Sequence, residues 1–581
     1  METSKLQYTP KRKTEMWGYT DNNFVKFKDK ELNCFESFIW ERCNGRYTVS
    51  DAIKSWEKIY NTTEITENIE ARVLDLLEKW KSEDLLILNF NFLHSASEYD
   101  DSCIYHLEAH VKPPVDILLL TAPTPCPASH KINEKNPLLD PLGIGYISAY
   151  LRSKGFNVGI MDLWDKQVNP VTINDIVERY SPKIVGISSV TDTFENGIRI
   201  ADIVKRFCHE ITIIFGGPHV TFEDKTTLLQ HKSIDVVVRG EGEHSFLELA
   251  KLFIHNIGEL AKIDGITYRD GNNVIRTNDR CFIHDLDALP FPDRLEYRRD
   301  AYIGIQTSRG CPGKCIFCSA RGLSGGKYRM RSAENVISEV EMLIDKGINT
   351  IFFQDDTLTA DIDRLNAILD LIERKELKFL WSAESRVDMI YRYPKIVKRM
   401  AGCGCKVIQF GIESGSQAVL NALKKNITIE QINKAVSIVA EEEITLMCSF
   451  LIGHPFDTYA TMLETFELGK RLCDMGAVIL LSVTCPYPGT IIQNNPKGYH
   501  VEIINYDYSN YSFSSPVMNT KYLTAKEIKK YHYNYSMALS DYYKKRRMLK
   551  QVSETSRVIE QQLRLDASQP MNAPKKANDI M

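Results

Sequence analysis

The chain has 581 residues, of which 43% are hydrophobic and 25% charged, with a formal net charge of −4. These fractions exclude a disordered or fibrous chain, and 14 cysteines are too few for a disulfide scaffold. Residues 1–5 are polar, and apolar runs such as 476–483 fall short of the ~20 residues that span a bilayer. We therefore expect a cytoplasmic protein of three or four domains that binds neither membrane nor, given its charge, nucleic acid.

Residues 1–110 are predicted to form a small winged-helix-like domain. An extended segment at 24–27 precedes helical patterns at 35–43, 48–60 and 67–81 and a strand at 85–90. DNA binding is one function of such a fold. However, residues 1–92 contain 14 Lys and Arg against 16 Asp and Glu, a net charge of −2, whereas a DNA reader would be basic.

The order of residues in this region resembles the precursor-peptide recognition domains named after pyrroloquinoline quinone biosynthesis (PqqD-like). The resemblance rests on Phe24-Val25-Lys26-Phe27, Phe38-Ile39-Trp40, Asn44-Gly45, Thr48, Ile53, Tyr60, Leu74 and Leu85. That family captures a leader peptide as an added strand on a sheet edge. It implies that residues 1–110 bind the leader of a ribosomally made precursor peptide. A structural helper domain and a DNA-binding domain are the alternatives.

Residues 111–290 are predicted to form a doubly wound α/β domain. Strand patterns at 115–120, 158–161, 184–188, 213–215 and 236–238 alternate with helical patterns that include 142–153 and 197–207. Ligands of such sheets bind at the carboxyl edge of the strands. The candidate binding residues just past those strands are Thr121, Ser188, Thr191, Gly216, Gly217, His219, Gly240, Glu241, Gly242 and Glu243. A dinucleotide fold would need a glycine fingerprint after the first strand, and a phospho-receiver an acidic pair; both are missing.

This domain resembles the cobalamin-binding domain fused to many radical S-adenosylmethionine (SAM) enzymes. The matching residues are Pro141-Leu142-Gly143, Leu151-Arg152, Gly155, Val158, Asp162, Gly216-Gly217-Pro218-His219 and Gly240-Glu241-Gly242-Glu243. The Asp-x-His-x-x-Gly motif that ligates cobalt is replaced by Asp162-Leu163-Trp164-Asp165, so no cobalt ligand is expected there. His130 is an alternative ligand or a solvated loop residue, and His219 and His244 are expected near the cofactor without binding cobalt. A hairpin with an Asp270-Gly271 turn and a proline-rich linker at 287–293 follow.

Three of the cysteines are organised in one loop. Cys311, Cys315 and Cys318 are spaced four and then three residues apart in the Pro- and Gly-rich segment 308–318. Buried structural cysteines and a zinc site are the alternatives, but zinc would need a fourth ligand and usually shows paired cysteines. An iron–sulfur cluster held by thiolates fits better, and three ligands leave one iron of a four-iron cluster open for catalysis.

The cysteine spacing, with Phe317 before the last cysteine, resembles the radical SAM superfamily, whose fold is a partial (β/α)6 barrel. Six strand patterns between residues 291 and 520 fit that fold and place the cysteine loop at its carboxyl mouth. They lie at 303–307, 350–354, 379–383, 407–412, 446–452 and 478–483, between helical patterns at 333–345, 362–373, 389–401, 417–439 and 459–473.

The resemblance also assigns SAM contacts at the ends of the second, third and fourth strands. They are Gln354, Asp355, Asp356, Ser382, Glu384, Arg386 and Glu413. The resemblance implies that Gln354-Asp355-Asp356-Thr357 holds the SAM amino group largely by backbone contacts; here it departs from the commoner Gly-Gly-Glu, as is usual in the cobalamin-linked branch. Each acid could instead be a solvated strand end, and 486–490 could be a site or a plain turn.

Residues 521–581 are predicted to be a charged helix, 524–562, and a disordered tail. Because no cysteine follows Cys485, we expect a single [4Fe-4S] cluster. The fold class is thus α/β multidomain: a winged-helix-like domain, a doubly wound cobalamin domain and a partial barrel.

The resemblance implies a cobalamin-dependent radical SAM methyltransferase. In that chemistry a 5′-deoxyadenosyl radical abstracts hydrogen from an unactivated carbon of the precursor peptide, and methylcobalamin supplies the methyl group. The expected partners are the peptide and an electron donor such as a flavodoxin or ferredoxin. The alternatives are a radical cyclisation, rearrangement or oxidation without methyl transfer, and a non-catalytic cobalamin sensor.

Overall fold

The computed structural model describes residues 113–124, 141–164, 170–294 and 303–567, with side chains up to residue 546. Before them it describes residue 111, five strand segments between residues 9 and 89, and helical residues between 73 and 79. The predicted helices 35–43 and 48–60, His130 and the tail beyond residue 567 lie outside the described residues. The chain divides into two compact units, Met1–Arg298 and Arg299–Met581. No described helix is long and apolar enough to cross a membrane.

The described N-terminal segments are two small antiparallel sheets. Strand Thr9–Arg12 pairs with Leu86–Asn89, and Val25–Phe27 lies between Gly18–Tyr19 and Lys30–Glu31. The extended segments predicted at 24–27 and 85–90 are therefore strands in the structure. The winged-helix assignment of the whole region stays a prediction.

The cobalamin-domain region of the first unit contains a seven-stranded sheet. Its strands are β1 (Ile117–Thr121), β2 (Val158–Met161), β3 (Ile184–Ser188), β4 (Thr212–Gly216), β5 (Val236–Val238), β6 (Ile266–Asp270) and β7 (Asn273–Arg276). The spatial order is β2-β1-β3-β4-β5-β6-β7, in which the first five strands are mutually parallel. The parallel strands are almost entirely buried on both faces, which explains their continuous apolar runs. This is the doubly wound sheet that the sequence predicts.

Six helices connect and cover these strands. They are α1 (Leu142–Arg152), α2 (Pro170–Tyr180), α3 (Phe194–Phe207), α4 (Pro218–Phe222), α5 (Asp224–Gln230) and α6 (Glu243–His255), followed by a 3-10 turn at Leu260–Lys262. The predicted hairpin, with strands 265–269 and 274–277 around the Asp270-Gly271 turn, is β6–β7, and Arg269 pairs with Val274 as those bounds imply. The pairing extends by one further pair, Asp270 with Asn273, so Gly271 and Asn272 form the tip of the turn.

The second unit is built on a sheet of six parallel strands arranged in chain order. They are β8 (Ile303–Ile305), β9 (Thr350–Phe353), β10 (Leu380–Ser385), β11 (Cys405–Glu413), β12 (Thr445–Ile452) and β13 (Val478–Val483). All six predicted strands are present. Since the strands are parallel, their carboxyl ends share one edge of the sheet, and the cysteine loop follows β8 at that edge.

Ten helices accompany this sheet. They are α7 (Ala320–Leu323), α8 (Ala333–Asp345), α9 (Ile362–Arg374), α10 (Val387–Arg392), α11 (Lys395–Gly402), α12 (Gln417–Ala422), α13 (Ile429–Ala440), α14 (Tyr459–Asp474), α15 (Ile491–Asn494) and α16 (Ala525–Ala567). The single helix predicted at 389–401 is wrong. It is split into α10 and α11 at Pro394, because proline lacks the N–H that continues a helix.

Helix α16 covers strand β13, which is an edge strand of the six-stranded sheet. Ile528 is buried against Ile452 and Val483, and His532 Nε2 lies 3.0 Å from the carbonyl oxygen of Leu481. The predicted helix 524–562 is therefore confirmed, and its first turns protect a sheet edge.

Candidate functional site

The three predicted cluster ligands lie in the loop between the two-residue strand Ser308–Arg309 and α7. Cys311, Cys315 and Cys318 are all free thiols, and the backbone N–H of Gly313 donates to Cys311 Sγ at 3.4 Å. In the described part of the chain, no three His, Cys, Asp or Glu side chains are close enough to hold a single metal ion. A four-iron cluster does not require such close spacing, because each thiolate binds a different iron.

Ile316 anchors this loop to the rest of the unit. Its side chain is fully buried with Val419 and Leu423, and its N–H donates to the carbonyl of Leu423 at 3.2 Å. Its own carbonyl accepts from the N–H of Ile491 at 3.1 Å. The segment between Cys315 and Cys318 is thus held by packing and by backbone hydrogen bonds on both sides.

Two cationic side chains lie next to the cysteine loop. Arg386 forms a bidentate pair with Asp388, at 2.9 and 3.0 Å, and a Cβ on Gly313 would be 3.3 Å from its Nη1 atom. Lys425 is the second cation. Burial raises the pKa of the Cys315 thiol, whereas Lys425 and Arg386 lower it. Free thiols with cations beside them fit thiolates bound to an iron–sulfur cluster.

Asp355 belongs to the segment predicted to contact SAM largely through its backbone, and its side chain is engaged within the protein. Its carboxylate is buried and accepts from the N–H groups of Thr307 and Ser308 at 2.6 and 3.1 Å. It also accepts from both their hydroxyl groups and lies 3.6 Å from Arg364 Nη2. The Asp355 side chain is therefore fully used in fixing the end of β8, which leaves its backbone for any ligand.

The neighbouring residues retain groups that could receive SAM. The buried Gln354 Oε1 and Thr357 Oγ1 atoms have no hydrogen-bond partner among the described residues. Asp356 is exposed, and desolvation, then Asp355, raise its pKa, while the N–H of Gly310 lowers it. Orphaned polar atoms beside an accessible carboxylate suit a ligand that carries ammonium, carboxylate and hydroxyl groups.

Glu384 and Glu413 bring two further acids to the same edge. Burial, followed by the charges of Asp356 and Glu413, raises the pKa of Glu384 to about 7. Glu413 ends β11 with φ of +71° and forms an ion pair with Lys425, with Oε1 to Nζ at 2.7 Å. Ser382 is buried within β10. Apart from Ser382, which lies inside its strand, the predicted residues of strands two to four thus lie at one edge, and several of them interact electrostatically with the cysteines.

Sequence reasoning missed Lys425 and His454. His454 is fully buried directly after β12, with Nδ1 2.8 Å from Thr484 Oγ1 and its ring 5.7 Å from that of Phe317. Burial lowers its pKa to about 3, a hydrogen bond with the backbone of Glu413 acts in the opposite direction, and Lys425 adds to the lowering, so the ring is neutral. A signal for His454 exists, since it follows the fifth strand as the predicted residues follow the others. Lys425 lies 12 residues beyond Glu413, and no local pattern marks it.

The cobalamin-domain residues lie at the carboxyl edge of the first sheet. Thr121 ends β1, and its hydroxyl donates to Asp162 and accepts from the N–H of Leu163 at 2.8 Å. Ser188 and Gly216 end β3 and β4. Gly217 has φ of +106°, and a Cβ there would be 2.3 Å from the carbonyl oxygen of Ser189. Glycine is therefore required where these two loops approach each other.

His219 lies deep inside the domain. It is 1% exposed, its ring lies 4.2 Å from that of Phe194, and Nδ1 is 3.4 Å from Thr191 Oγ1. Burial lowers its pKa to about 3. His219 therefore supports the Thr191 loop from inside the domain, and its contact with cobalamin stays a prediction.

The loop from Gly240 to Glu243 is also tied to its own domain. Gly240 has φ of +70° and donates its N–H to Thr221 Oγ1 at 3.0 Å. Glu241 accepts from the N–H of Ile283 at 2.8 Å, Glu243 is buried, and a Cβ on Gly242 would meet Ile147 at 2.8 Å. Glu241 and Glu243 therefore help to fix the conformation of this loop at the carboxyl edge of the sheet.

Ser189 and Val190 supply the features that suit cobalamin. Ser189 Oγ is buried without a hydrogen-bond partner among the described residues, and the adjacent Val190 side chain is 37% exposed. An orphaned hydroxyl beside an exposed apolar side chain fits a large ligand with a flat ring and polar substituents. The residues present at this edge therefore fit the cofactor.

Comparison with known families identifies both regions. Residues 136–250 match the B12 binding domain, and residues 305–469 match the radical SAM superfamily. The chain is 32% identical over 422 residues to an uncharacterised methyltransferase of Pyrococcus horikoshii, covering 71% of this chain and 90% of the relative. The chain therefore belongs to the cobalamin-binding radical SAM enzymes.

Two further comparisons fill out this assignment. The chain is 26% identical over 393 residues to the anaerobic magnesium-protoporphyrin IX monomethyl ester cyclase of Rubrivivax gelatinosus, covering 65% of this chain and 69% of the cyclase. Its fold matches that of the methyltransferase TsrM from Kitasatospora setae with a TM-score of 0.56, at 19% identity and with coverage of 68% and 78%. The protein is a cobalamin-dependent radical SAM enzyme of the methyltransferase-like family, and its cofactors are a [4Fe-4S] cluster, SAM and cobalamin.

Proposed function

We propose that this enzyme C-methylates an unactivated carbon of a ribosomally made precursor peptide. The observation that carries the catalytic part is the position of the cysteine loop and the charged strand ends at one edge of the β8–β13 sheet. When bound, the cofactors would supply a 5′-deoxyadenosyl radical for hydrogen abstraction and a cobalt-bound methyl group.

Different residues of the second unit would bind the cluster and SAM. Cys311, Cys315 and Cys318 would hold the cluster, with Ile316 fixing their loop. Gln354, Asp356 and Glu384 would bind SAM, because they bring an orphaned buried amide oxygen and two carboxyl groups to the strand ends. The side chain of Asp355 would hold the end of β8, and its backbone would remain available to SAM.

The cobalamin site would consist of the loops after β3, β4 and β5. Ser189 and Val190 would contact the cofactor, Gly216 and Gly217 would let the loops approach closely, and Thr191 with His219 would fix the β3 loop. No residue of the Asp162–Asp165 segment is a histidine, so cobalt would receive no ligand from it.

The N-terminal segments support a peptide substrate. In the described three-stranded sheet, Val25–Phe27 is central, while Gly18–Tyr19 and Lys30–Glu31 each pair on one side. A one-sided strand is the element to which an extended leader peptide adds. The net charge of −2 over residues 1–92 supports a peptide in preference to a nucleic acid.

A second candidate is radical cyclisation or oxidation without methyl transfer. The similarity to a relative named as a cyclase favours it. The two functions differ in their products. Methyl transfer consumes SAM to S-adenosylhomocysteine as well as to 5′-deoxyadenosine, whereas the alternative yields 5′-deoxyadenosine without S-adenosylhomocysteine.

Anaerobic reconstitution of the full chain tests the chemistry. Cluster, cobalamin, SAM, a reductant and candidate precursor peptides encoded beside this chain are combined, and products are identified by mass spectrometry. We expect both nucleoside products and a peptide heavier by one methylene unit. 5′-Deoxyadenosine alone would favour the second candidate, and neither product would refute both.

Leader binding is tested separately with the full chain and a labelled leader peptide. We expect saturable binding that the unlabelled leader displaces and that a scrambled leader does not. Binding of both sequences alike, or of neither, would contradict leader recognition without affecting the assignment of the cofactors.

A further inference from the structure

Lys425 lies beside the cysteine loop, in a segment that is hydrogen-bonded to it. The loop that carries it is tied to the cysteine loop by the hydrogen bond from the N–H of Ile316 to the carbonyl of Leu423, at 3.2 Å. The side chain of Leu423 packs against Ile316 in the same buried cluster. The backbone next to Lys425 is therefore connected directly to the segment between Cys315 and Cys318.

The ammonium group of Lys425 is held in one place. Nζ lies 2.7 Å from Oε1 of Glu413, and the two side chains are only 17% and 9% exposed. A Cβ on Gly411 would meet Glu413 Oε1 at 2.5 Å and Lys425 Nζ at 2.8 Å, so the pair lies directly over this glycine. The sequence Gly411-Ile412-Glu413 thus leaves room for an ion pair that any larger residue at position 411 would displace.

The backbone around the ion pair is unusual. Three non-glycine residues in the left-handed region are concentrated here, namely Glu413 (φ +71°), Lys424 (φ +57°) and Asn426 (φ +56°). Such conformations are costly for residues with a side chain and cluster at functional sites, where the surrounding structure imposes them. Residues on both sides of Lys425, as well as its acidic partner, adopt this geometry.

The charge of Lys425 acts on Cys315 more strongly than that of its partner. Lys425 lowers the pKa of the Cys315 thiol by more than Glu413 raises it, and Arg386 adds to the lowering. The net effect of the ion pair at this cysteine is therefore that of a positive charge. A fixed positive charge favours whichever oxidation state of a nearby centre is more negative.

We propose that Lys425 is a positioning residue for the cluster, whose fixed ammonium group orients Glu413 and raises the reduction potential of the centre held by Cys311, Cys315 and Cys318. Reduction adds one electron, taken from the donor protein, and makes the cluster more negative by one charge. Lys425 stabilises that state and so eases the electron transfer that precedes SAM cleavage. The inference rests on the proposed cysteine ligands and is independent of the peptide substrate.

The test is the midpoint potential of the cluster in the reconstituted full-length enzyme. Potentials are poised with dithionite, and the reduced cluster is followed by electron paramagnetic resonance, with iron content measured in each sample. Lys425→Met should shift the potential to more negative values, and Glu413→Gln should shift it to more positive values. Lys425→Arg should retain most of the wild-type potential.

Lys424→Met is the matched control, since it removes the same charge from the same loop at an exposed position. It should leave the potential unchanged. A Lys425→Met enzyme with full iron content and an unchanged potential would overturn the proposal, as would shifts of the same sign in Lys425→Met and Glu413→Gln. If Lys425→Met assembles no cluster, Glu413→Gln decides: a positive shift supports the proposal and any other result rejects it. Absence of a cluster from the wild-type enzyme would refute the cysteine assignment itself, together with this inference.

Discussion

The two sheet edges that carry the proposed cofactor sites use their polar side chains in opposite ways. At the edge of the cobalamin domain, Thr121, Thr191 and Glu241 bond to their own domain, and glycines set the approach of the loops. At the edge of the radical SAM sheet, Glu384, Glu413 and Lys425 form a group of interacting charges. Both edges end parallel strands, so the topology alone does not cause the difference.

The contrast matches what each region has to bind. A large cofactor with a flat ring is accommodated by close backbone approach and needs few charges. A cluster that changes charge and a ligand that carries ammonium and carboxylate groups need fixed countercharges in a partly buried setting. Substitutions at one edge should therefore leave the cofactor of the other edge in place.

Removing a cluster ligand should abolish the function of the radical SAM edge while the cobalamin edge persists. Cys315→Ala deletes a thiolate, so we expect loss of the cluster absorbance, of the bound iron and of all SAM cleavage. Cobalamin binding, measured by the absorbance that co-elutes on gel filtration, should remain within about twofold of wild type. Cys281→Ser, at an exposed cysteine outside the loop, should change neither property. Retention of a full cluster by Cys315→Ala would show that the ligands are assigned wrongly.

The converse change should damage only the cobalamin edge. Gly217→Ala places a Cβ 2.3 Å from the carbonyl oxygen of Ser189 at a φ of +106°, so the loops must separate. Strain of about 1–3 kcal/mol predicts cobalamin binding weaker by about 5- to 150-fold, with the iron content unchanged.

Gly258→Ala is the control for this substitution. It has a similar φ of +110°, but no atom lies within 4 Å of the new Cβ. It should lower overall stability slightly and leave cobalamin affinity at the wild-type value. Equal losses of affinity in the two variants would attribute the effect to backbone strain in general and would remove the argument for a loop contact at Gly217.

Loosening the anchor of the cysteine loop should have an intermediate effect. Ile316→Ala leaves a cavity in a fully buried cluster, and we expect the free energy of unfolding of the second unit to fall by about 2–5 kcal/mol. The cluster should also be lost faster to an iron chelator, followed by its absorbance.

Ile491→Ala serves as the comparison, because its side chain is 38% exposed while its backbone makes the same contact with Ile316. Its destabilisation should be well below that of Ile316→Ala. Similar rates of cluster loss to the chelator in wild type and Ile316→Ala would mean that the buried Ile316 side chain does not determine how firmly the loop holds its cluster.

The smallest effect concerns the pH dependence of stability at Glu384. Its pKa rises from 4.5 to about 7 on folding, so the folded state favours the protonated form. The associated stability is fully present below pH 4.5 and is lost as the pH rises through 7. At one pKa unit per 1.36 kcal/mol, the loss is at most about 3 kcal/mol.

Glu384→Gln keeps the shape of the protonated carboxyl group without its titration, and it should remove the pH dependence of stability that Glu384 contributes. Melting temperatures of the apo-protein, measured from pH 5 to 8, should fall more steeply for wild type than for the variant. Asp388→Asn, at an acid paired with Arg386, is a control that should leave the slope between pH 5 and 8 unchanged. Parallel curves for wild type and Glu384→Gln would show that Glu384 is ionised throughout this range.

Most of the secondary structure was predictable because it depends on local patterns. Helix α8 begins and ends where predicted, since Ser332 caps it and accepts from the N–H of Asn335. The split at Pro394 was also visible in the sequence, but the apolar periodicity on both sides of the proline favoured one helix.

The sequence alone determined the two parallel sheets, the cysteine loop and which strand ends meet at each edge. Periodicity and spacing are local properties of the chain. In a parallel sheet they also fix position, because the carboxyl ends of all strands lie at the same edge. Only the tertiary structure decided how each polar group is used. The Asp355 carboxylate accepts hydrogen bonds at the end of β8, and His219 is buried. Lys425 forms an ion pair with Glu413, 12 residues earlier in the chain. Hydrogen-bond partners and burial depend on contacts between distant segments, and spacing along the chain does not encode them.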